Sequence, residues 1–249
     1  MNLNIFVAPR AGRIIAVALA LAAGAARAEI AVQCLTEPVG NVEMSTTVAG
    51  TVAAIRHGEG AFVDAGAVVL ELESRVEQLD VERRTIQVET LKAELDRSER
   101  LLKSTSSISQ EEVDKKRGEY RIATLELELA REGLAKRQVK APFAGVVTRI
   151  PVEVGEYCQP PRILVRIVDS RQFYCVANID PAHAANLAVD RPVRFEAGEE
   201  ANAAQGLTGK IVFVSPVVDP ASGLLRIKAL FANPDGRVRP GVAGRLLLP

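Results

Sequence analysis

The segment VAGTVAAIRHGEG, beginning at Val48, is answered by FAGVVTRIPVEVG, beginning at Phe143, 95 residues further on. Aligning residue n with n + 95 needs no gap over 48–169: Ala49 matches Ala144, Gly50 matches Gly145, Val52 matches Val147, Ile55 matches Ile150 and Gly60 matches Gly155. Phe62/Tyr157, Val69/Leu164 and Leu72/Ile167 keep apolar character in both copies. Each copy alternates apolar and polar residues around glycine turns, the pattern of short strands and tight hairpins. Neither copy can bury a core alone, so the two are expected to face each other as the halves of one small β-sandwich. In that register Cys158 falls opposite Val63 and should be a buried, inert thiol.

The segment between the copies has a different period. No proline occurs between Pro38 and Pro142, and apolar residues recur every seven positions: Val81, Val88, Leu95, Leu102, then Val113, Tyr120, Leu127, Leu134. A seven-residue apolar row is the seam of a coiled coil, and two rows separated by KSTSSIS predict an antiparallel helical hairpin over 74–137. Ser74 with Glu77 and Ser109 with Glu112 have capping-box spacing and should open the two helices. Lys136 and Arg137 close the second helix, where positive charge suits the helix dipole. Glu89/Lys92 and Asp96/Arg100 stand at helical contact spacing on a solvated face. A first helix of about 45 Å, at about 1.5 Å per residue, is longer than a small sandwich is wide and must project.

Composition narrows the function. The chain has 31 basic and 31 acidic residues, and only 4 % of it is aromatic, with no Trp. There is neither a general attraction for polyanions nor material for base stacking, so no nucleic-acid partner is expected. Arg10 and Arg13 precede the apolar run IIAVALALAAGAA, and Ala26-Arg27-Ala28 has the form of a signal-peptidase site. A cleaved signal peptide at 1–28 is therefore expected, the alternative being an uncleaved anchor. The apolar run falls short of the roughly 20 residues a spanning helix needs. The three cysteines, Cys34, Cys158 and Cys175, allow one disulfide whose pairing is open, and they fit no metal pattern. His57 and His183 stand far apart, and no metal or cofactor is expected.

The order of half-sandwich, coiled-coil hairpin, second half-sandwich and β-rich tail resembles the membrane fusion proteins, the haemolysin D-like periplasmic adaptors of tripartite efflux and secretion pumps. VKAPFAGVVTRIPVEVGE is similar to the family's second lipoyl half, and VSPVVDPASGLLRIKALFANPDGRVRPGVAG to the end of its β-barrel. In the second phrase, Asn233-Pro234-Asp235-Gly236 and Arg239-Pro240-Gly241 have turn chemistry. The implied fold is α+β, mostly β: a split lipoyl-like sandwich interrupted by the hairpin and followed by a small β-barrel. Its parts are an N-terminal strand and first lipoyl half (29–73), the hairpin (74–137), the second lipoyl half (138–169) and the barrel (170–249). Hinges are expected at Glu73, Gln138 and Asp169. In the barrel, QFYCVANI and GKIVFVSP should be strands, and a short helix capped by Asp180 should reach Leu187. A lipoyl or biotinyl carrier domain shares the half-sandwich pair but holds its cofactor on a lysine at the connecting turn. The turn here, LESRVEQLD, has none.

The resemblance implies a non-enzymatic adaptor in the periplasm, associated with the inner membrane. Its partners would be an inner-membrane transporter and an outer-membrane channel, and copies of the chain would assemble as a ring, a trimer or hexamer. In the family, Arg, Leu and Ser around the hairpin turn dock on the channel. RSERLLKSTSSISQEEVD matches with Arg97, Leu101 and Ser109, followed by Asp114. The interval from Leu101 to Ser109 is one residue longer than the family's pattern, so either the turn carries an insertion or Leu102 takes the role. Ser109 has a second job as a helix cap, and Arg97 could equally be a solvated charge. The sequence stops at Pro249, so no further membrane-proximal domain is expected. The resemblance implies a transporter of the resistance-nodulation-division (RND) type; the expected absence of that domain, which many RND adaptors possess, keeps an ATP-driven or other secretion system as the alternative. An exported structural coiled-coil protein is a third reading.

Overall fold

The computed structural model describes residues 29–105, 108–184, 187–197 and 206–249. The expected signal peptide lies outside them. Two long antiparallel strands organise the molecule: β1, Ile30–Ser45, and β8, Ile163–Ile179, pair from Cys34 opposite Ala177 to Ser45 opposite Ile163. One end of this ribbon belongs to a sandwich and the other to a barrel.

The sandwich is built from β2 (Gly50–Ile55), β3 (Phe62–Val63), β4 (Val68–Leu72), β5 (Gln138–Lys140), β6 (Gly145–Arg149) and β7 (Tyr157–Cys158), with the ribbon's far end. One sheet runs β5-β4-β2-β7, and in the other β8 lies between β1 and β6, with β3 beyond β6. The two copies of the repeated phrase exchange strands reciprocally. Gly50 pairs Cys158 while Val63 pairs Gly145, and Val52 pairs Leu72 while Val147 pairs Ile167. Leu70 opposite Val139 and Val165 opposite Met44 extend the same symmetry to β5 and the end of β1. The matched positions Val52/Val147, Val63/Cys158, Val69/Leu164 and Leu72/Ile167 are all 2 % exposed or less. The turn glycines correspond too: Gly60 has φ +86° and Gly155 φ +91°, a left-handed backbone that favours glycine. Cys158 is a free, buried thiol, and burial pushes its pKa up. That is the inert state expected of it.

The barrel closes through β9 (Pro192–Ala197), β10 (Leu207–Val214), β11 (Leu225–Ala232) and β12 (Ala243–Leu248), in the order β1-β12-β9-β10-β11-β8 with β8 returning to β1. The expected boundaries leave β1 outside the barrel, whereas its first half pairs Ile30–Leu35 with β12 and completes the wall. Strand periodicity marks a segment as a strand but does not name its partner, which is why the double duty of β1 was not legible. A disulfide joins Cys34 and Cys175 across the ribbon, settling the open pairing. Inside, Phe173, Phe195 and Phe231 pack with centroids 5.3–5.7 Å apart, surrounded by Ile211, Ile227, Leu246 and Leu248. The described part of the short helix α3 is Pro181–Ala184, with Asp180 Oδ1 accepting from Ala182 N at 2.8 Å; residues 185–186, on the expected way to Leu187, lie outside the described set. Both expected turns form, with Gly236 N donating to Asn233 O at 3.2 Å and Gly241 at φ +105°.

The hinge expected at Asp169 is a bulge in the continuous ribbon rather than a loop: pairing shifts between Pro38 and Gly40, and Gly40 faces Asp169. Arg171 clamps the place. It pairs with Asp169 at 2.8 Å, donates to Ala144 O at 3.1 Å and lies 5.9 Å from the Phe62 ring centre. The Arg171 guanidinium holds the Asp169 carboxyl below its usual pKa.

Candidate functional site at the hairpin tip

Helices α1 (Arg75–Thr105) and α2 (Gln110–Ala135) form the projecting arm. The 31 residues of α1 give it a length of about 47 Å at about 1.5 Å per residue. Along the expected seam, Leu95, Val113 and Leu127 are buried, and Val81, Val88, Leu102, Tyr120 and Leu134 are half-buried. A coiled coil needs a second row beside the first. Here that row is Arg84, Leu91 and Ser98 on α1 and Lys116, Ala123 and Ala130 on α2, all buried or half-buried. Because most of these residues are small or charged, an apolar count passes over them.

The charged members of that row, Arg84 and Lys116, bridge the helices, and Arg117 and Arg137 add two more pairs. Arg84 pairs with Glu126, Lys116 with Glu94 at 3.0 Å, Arg117 with Glu99 at 2.7 Å and Arg137 with Glu77 at 2.5 Å. Hydrogen bonding to Glu94 raises the Lys116 pKa. Exposed pairs of this kind add little stability each, but unlike-charge pairing at four levels fixes the register in which the arm folds. Glu89/Lys92 and Asp96/Arg100, expected from spacing, form no ion pair among the described residues. Glu94, Glu99 and Glu126 reach across to the other helix, whereas Asp80 and Asp114 pair within their own.

The root departs from expectation at both ends. Ser74 Oγ accepts from Gln78 Nε2 at 3.0 Å, and Glu77 turns to Arg137, so no capping box closes there. Arg137 lies past the end of α2 and does not serve its dipole. It grips Glu77 on α1 and donates to Ala49 O at 2.8 Å in the sandwich. Gly50 makes room for it, since a Cβ there would stand 2.6 Å from Arg137 Nη1. Replacing Arg137 by Ala is expected to free the arm's root at a cost of about 1.5–3 kcal/mol, the range for hydrogen bonds to charged groups. Hydrogen exchange should then accelerate in 74–78 and 134–138 while the barrel stays protected. Unchanged exchange at the root would show that the clamp contributes nothing.

At the tip, Ser109 caps α2: its Oγ accepts from Glu112 N at 3.2 Å, with φ −80° and ψ 155°. Asp114 is exposed and engaged by Gln110 Nε2 at 3.0 Å and Arg117 Nη1 at 2.8 Å. Arg97 is exposed and, among the described residues, makes no ion pair. Leu101 is 42 % exposed, whereas Leu102 turns into the seam. Residues 106–107 of the expected turn lie outside the described set. The five sequence-selected residues therefore gather within the last turns of α1 and the first turn and a half of α2. Of the five, Arg97, Leu101, Ser109 and Asp114 are exposed, and Leu101 is the exposed apolar one. His57 is half-buried and His183 exposed, and among the described residues no group of three His, Cys, Asp or Glu could hold a metal ion. No described helix is long and apolar enough to cross a membrane.

A lipoyl-type sandwich split by a coiled-coil hairpin and joined to a six-stranded barrel has the order of parts expected from the resemblance to membrane fusion proteins. Residues 175–248 match the family described as the CusB-like β-barrel domain. An uncharacterized protein of Haemophilus influenzae is 25 % identical over 213 residues, covering 85 % of this chain and 55 % of that protein. The efflux pump periplasmic linker BepD of Brucella suis is 24 % identical over 228 residues, covering 81 % of this chain and 57 % of BepD. The chain thus spans about half the length of the curated relatives it matches. Among solved structures, a MacA-MexA chimeric protein containing the Pseudomonas aeruginosa MexA α-hairpin domain superposes with a TM-score of 0.74 at 16 % identity, covering 88 % of this chain and 80 % of that one. These matches bear out both the fold class and the resemblance to membrane fusion proteins read from the sequence.

Proposed function

We propose that this chain is a non-enzymatic periplasmic adaptor that links an inner-membrane efflux transporter of the RND type to an outer-membrane channel. The observation that carries this reading is the arm itself: about 47 Å of coiled coil held in fixed register, with Leu101 and Arg97 exposed near its end. A long arm that carries an exposed leucine near its end is suited to end-on contact. The CusB-like barrel and relatives named as efflux pump periplasmic linkers support the transporter side, the RND type and the periplasmic location.

Self-association into a ring is part of the same reading. Leu79 and Ile86 on α1, and Ile122 and Leu129 on α2, are each seven residues apart and exposed. Each pair therefore forms a stripe facing away from the seam, one on each helix, that a neighbouring copy could cover. Heterologous contact of this kind gives a ring when the rotation between neighbouring copies closes.

The test is a photoreactive residue at position 101 in the exported protein, crosslinked in cells. Capture of an outer-membrane channel is the expected result. A folded, exported protein that captures only copies of itself, or nothing, would remove the adaptor reading and leave a structural coiled-coil protein.

A further inference from the structure

We propose that the outer face of the sandwich, at the end of the ribbon away from the barrel, binds a small amphiphilic anion carrying a phosphate or carboxylate. This goes beyond the adaptor reading and does not depend on either membrane partner. A cleft of about 500 Å³ opens there, lined by Arg149, Arg162 and Arg166 together with Pro151, Pro161 and Ile163. That volume lies in the range of small-molecule sites.

The charges in the cleft are imperfectly matched. Arg149 on β6 stands directly opposite Arg166 on β8, and like charges facing each other across neighbouring strands repel. On the other side of Arg166 its partner in β1 is Glu43, which also lines the cleft. Yet among the described residues no ion pair reaches Arg166 or Arg149. Arg166 Nε donates instead to the neutral Asn41 Oδ1 at 2.9 Å. Arg162 is already committed to Glu156, at 2.9 Å. Two arginines are thus neighbours in the register of adjacent strands and line one cleft with a carboxylate that forms no ion pair among the described residues.

An oxyanion placed between Arg149 and Arg166 would take forked, charge-assisted hydrogen bonds from both and remove their repulsion. Lysines could not offer that geometry. The rest of the cleft fixes the remainder of the ligand: Ile163 is 41 % exposed and the two prolines bring no N–H donor, so this part of the wall is apolar. A short hydrocarbon body lying on Ile163, Pro151 and Pro161 would bury apolar surface while its head group meets the arginines.

The test is calorimetric titration of the purified protein with octyl phosphate and octanoate, both below their micelle-forming concentrations, alongside inorganic phosphate and octyl glucoside. At least one anionic amphiphile should bind saturably with one site per chain, about tenfold or more tighter than inorganic phosphate. Whichever binds tighter names the oxyanion. Arg149→Gln and Arg166→Gln should each weaken it by about tenfold, the loss typical of one charge-assisted contact, and Arg149→Lys should fall between. Added salt should weaken binding, since the site is open to solvent. Circular dichroism of the variants should match the parent, because both side chains lie on the outer face. The proposal fails if neither anionic amphiphile saturates or if folded Gln variants bind as the parent does. It fails equally if inorganic phosphate matches the amphiphiles or if octyl glucoside does. None of these outcomes bears on channel capture through position 101.

Discussion

Replacing Phe231 by Ala should destabilise the barrel by about 3–5 kcal/mol, the range for removing a buried aromatic ring. Phe231 is 1 % exposed, and its ring stacks on Phe173 at 5.4 Å and tilts against Phe195 at 5.7 Å. It also covers Gly209, its direct partner across β10 and β11; a Cβ there would stand 2.5 Å from the ring. The substitution therefore opens a cavity and uncovers backbone at the same place. Phe195 occupies the same kind of seat over Gly244, where a Cβ would lie 2.4 Å from its ring. The sandwich has a separate core built on Val52, Leu72, Val147 and Ile167. Denaturant unfolding of the Phe231 variant should thus move the barrel's transition to lower concentration ahead of the sandwich, read by near-ultraviolet dichroism and by hydrogen exchange of β10 and β11. A shift worth less than about 1 kcal/mol would mean that the three rings are not the keystone of this core.

What the sequence made legible was whatever leaves a period. The repeated phrase showed both sandwich halves because alternation and turn glycines are local, and the copies kept the same burial down to Val63 and Cys158. The hairpin was legible because its apolar seam row repeats every seven residues. Partnerships between distant segments left no such mark. Nothing in IAVQCLTEPVGNVEMS says that its first half closes a barrel and its second half edges a sandwich. Nothing in three cysteines says that Cys34 meets Cys175. Arg137 read as a dipole-compensating charge, and its task became visible only when Glu77 and Ala49 were brought to it. The facing arginines 149 and 166 are 17 residues apart in sequence, and only the β6–β8 register makes them neighbours.

The tip shows how the structure sharpens a sequence pattern. Two leucines competed for one role, and helical phase separates them. Leu102 continues the row of Val81, Val88 and Leu95 and is half-buried, whereas Leu101 precedes it and is 42 % exposed. Leu101→Asp should accordingly leave folding nearly unchanged and abolish capture of the channel on which the adaptor reading depends, because a carboxylate would be desolvated at an apolar contact without a partner. Leu102→Asp should act differently. It places a charge in the half-buried seam row, one helical turn from the buried Ser98, at a cost of about 1–3 kcal/mol. Local opening should follow, seen as faster hydrogen exchange in 95–105 and 110–117 with the root of the arm still protected. Channel capture would then fall only in proportion to the fraction of tips that are open. If instead Leu101→Asp melts the tip while Leu102→Asp spares it and loses the channel, the two leucines have exchanged roles. The arm would then engage its target through the seam row, with the tip helices parting to expose it.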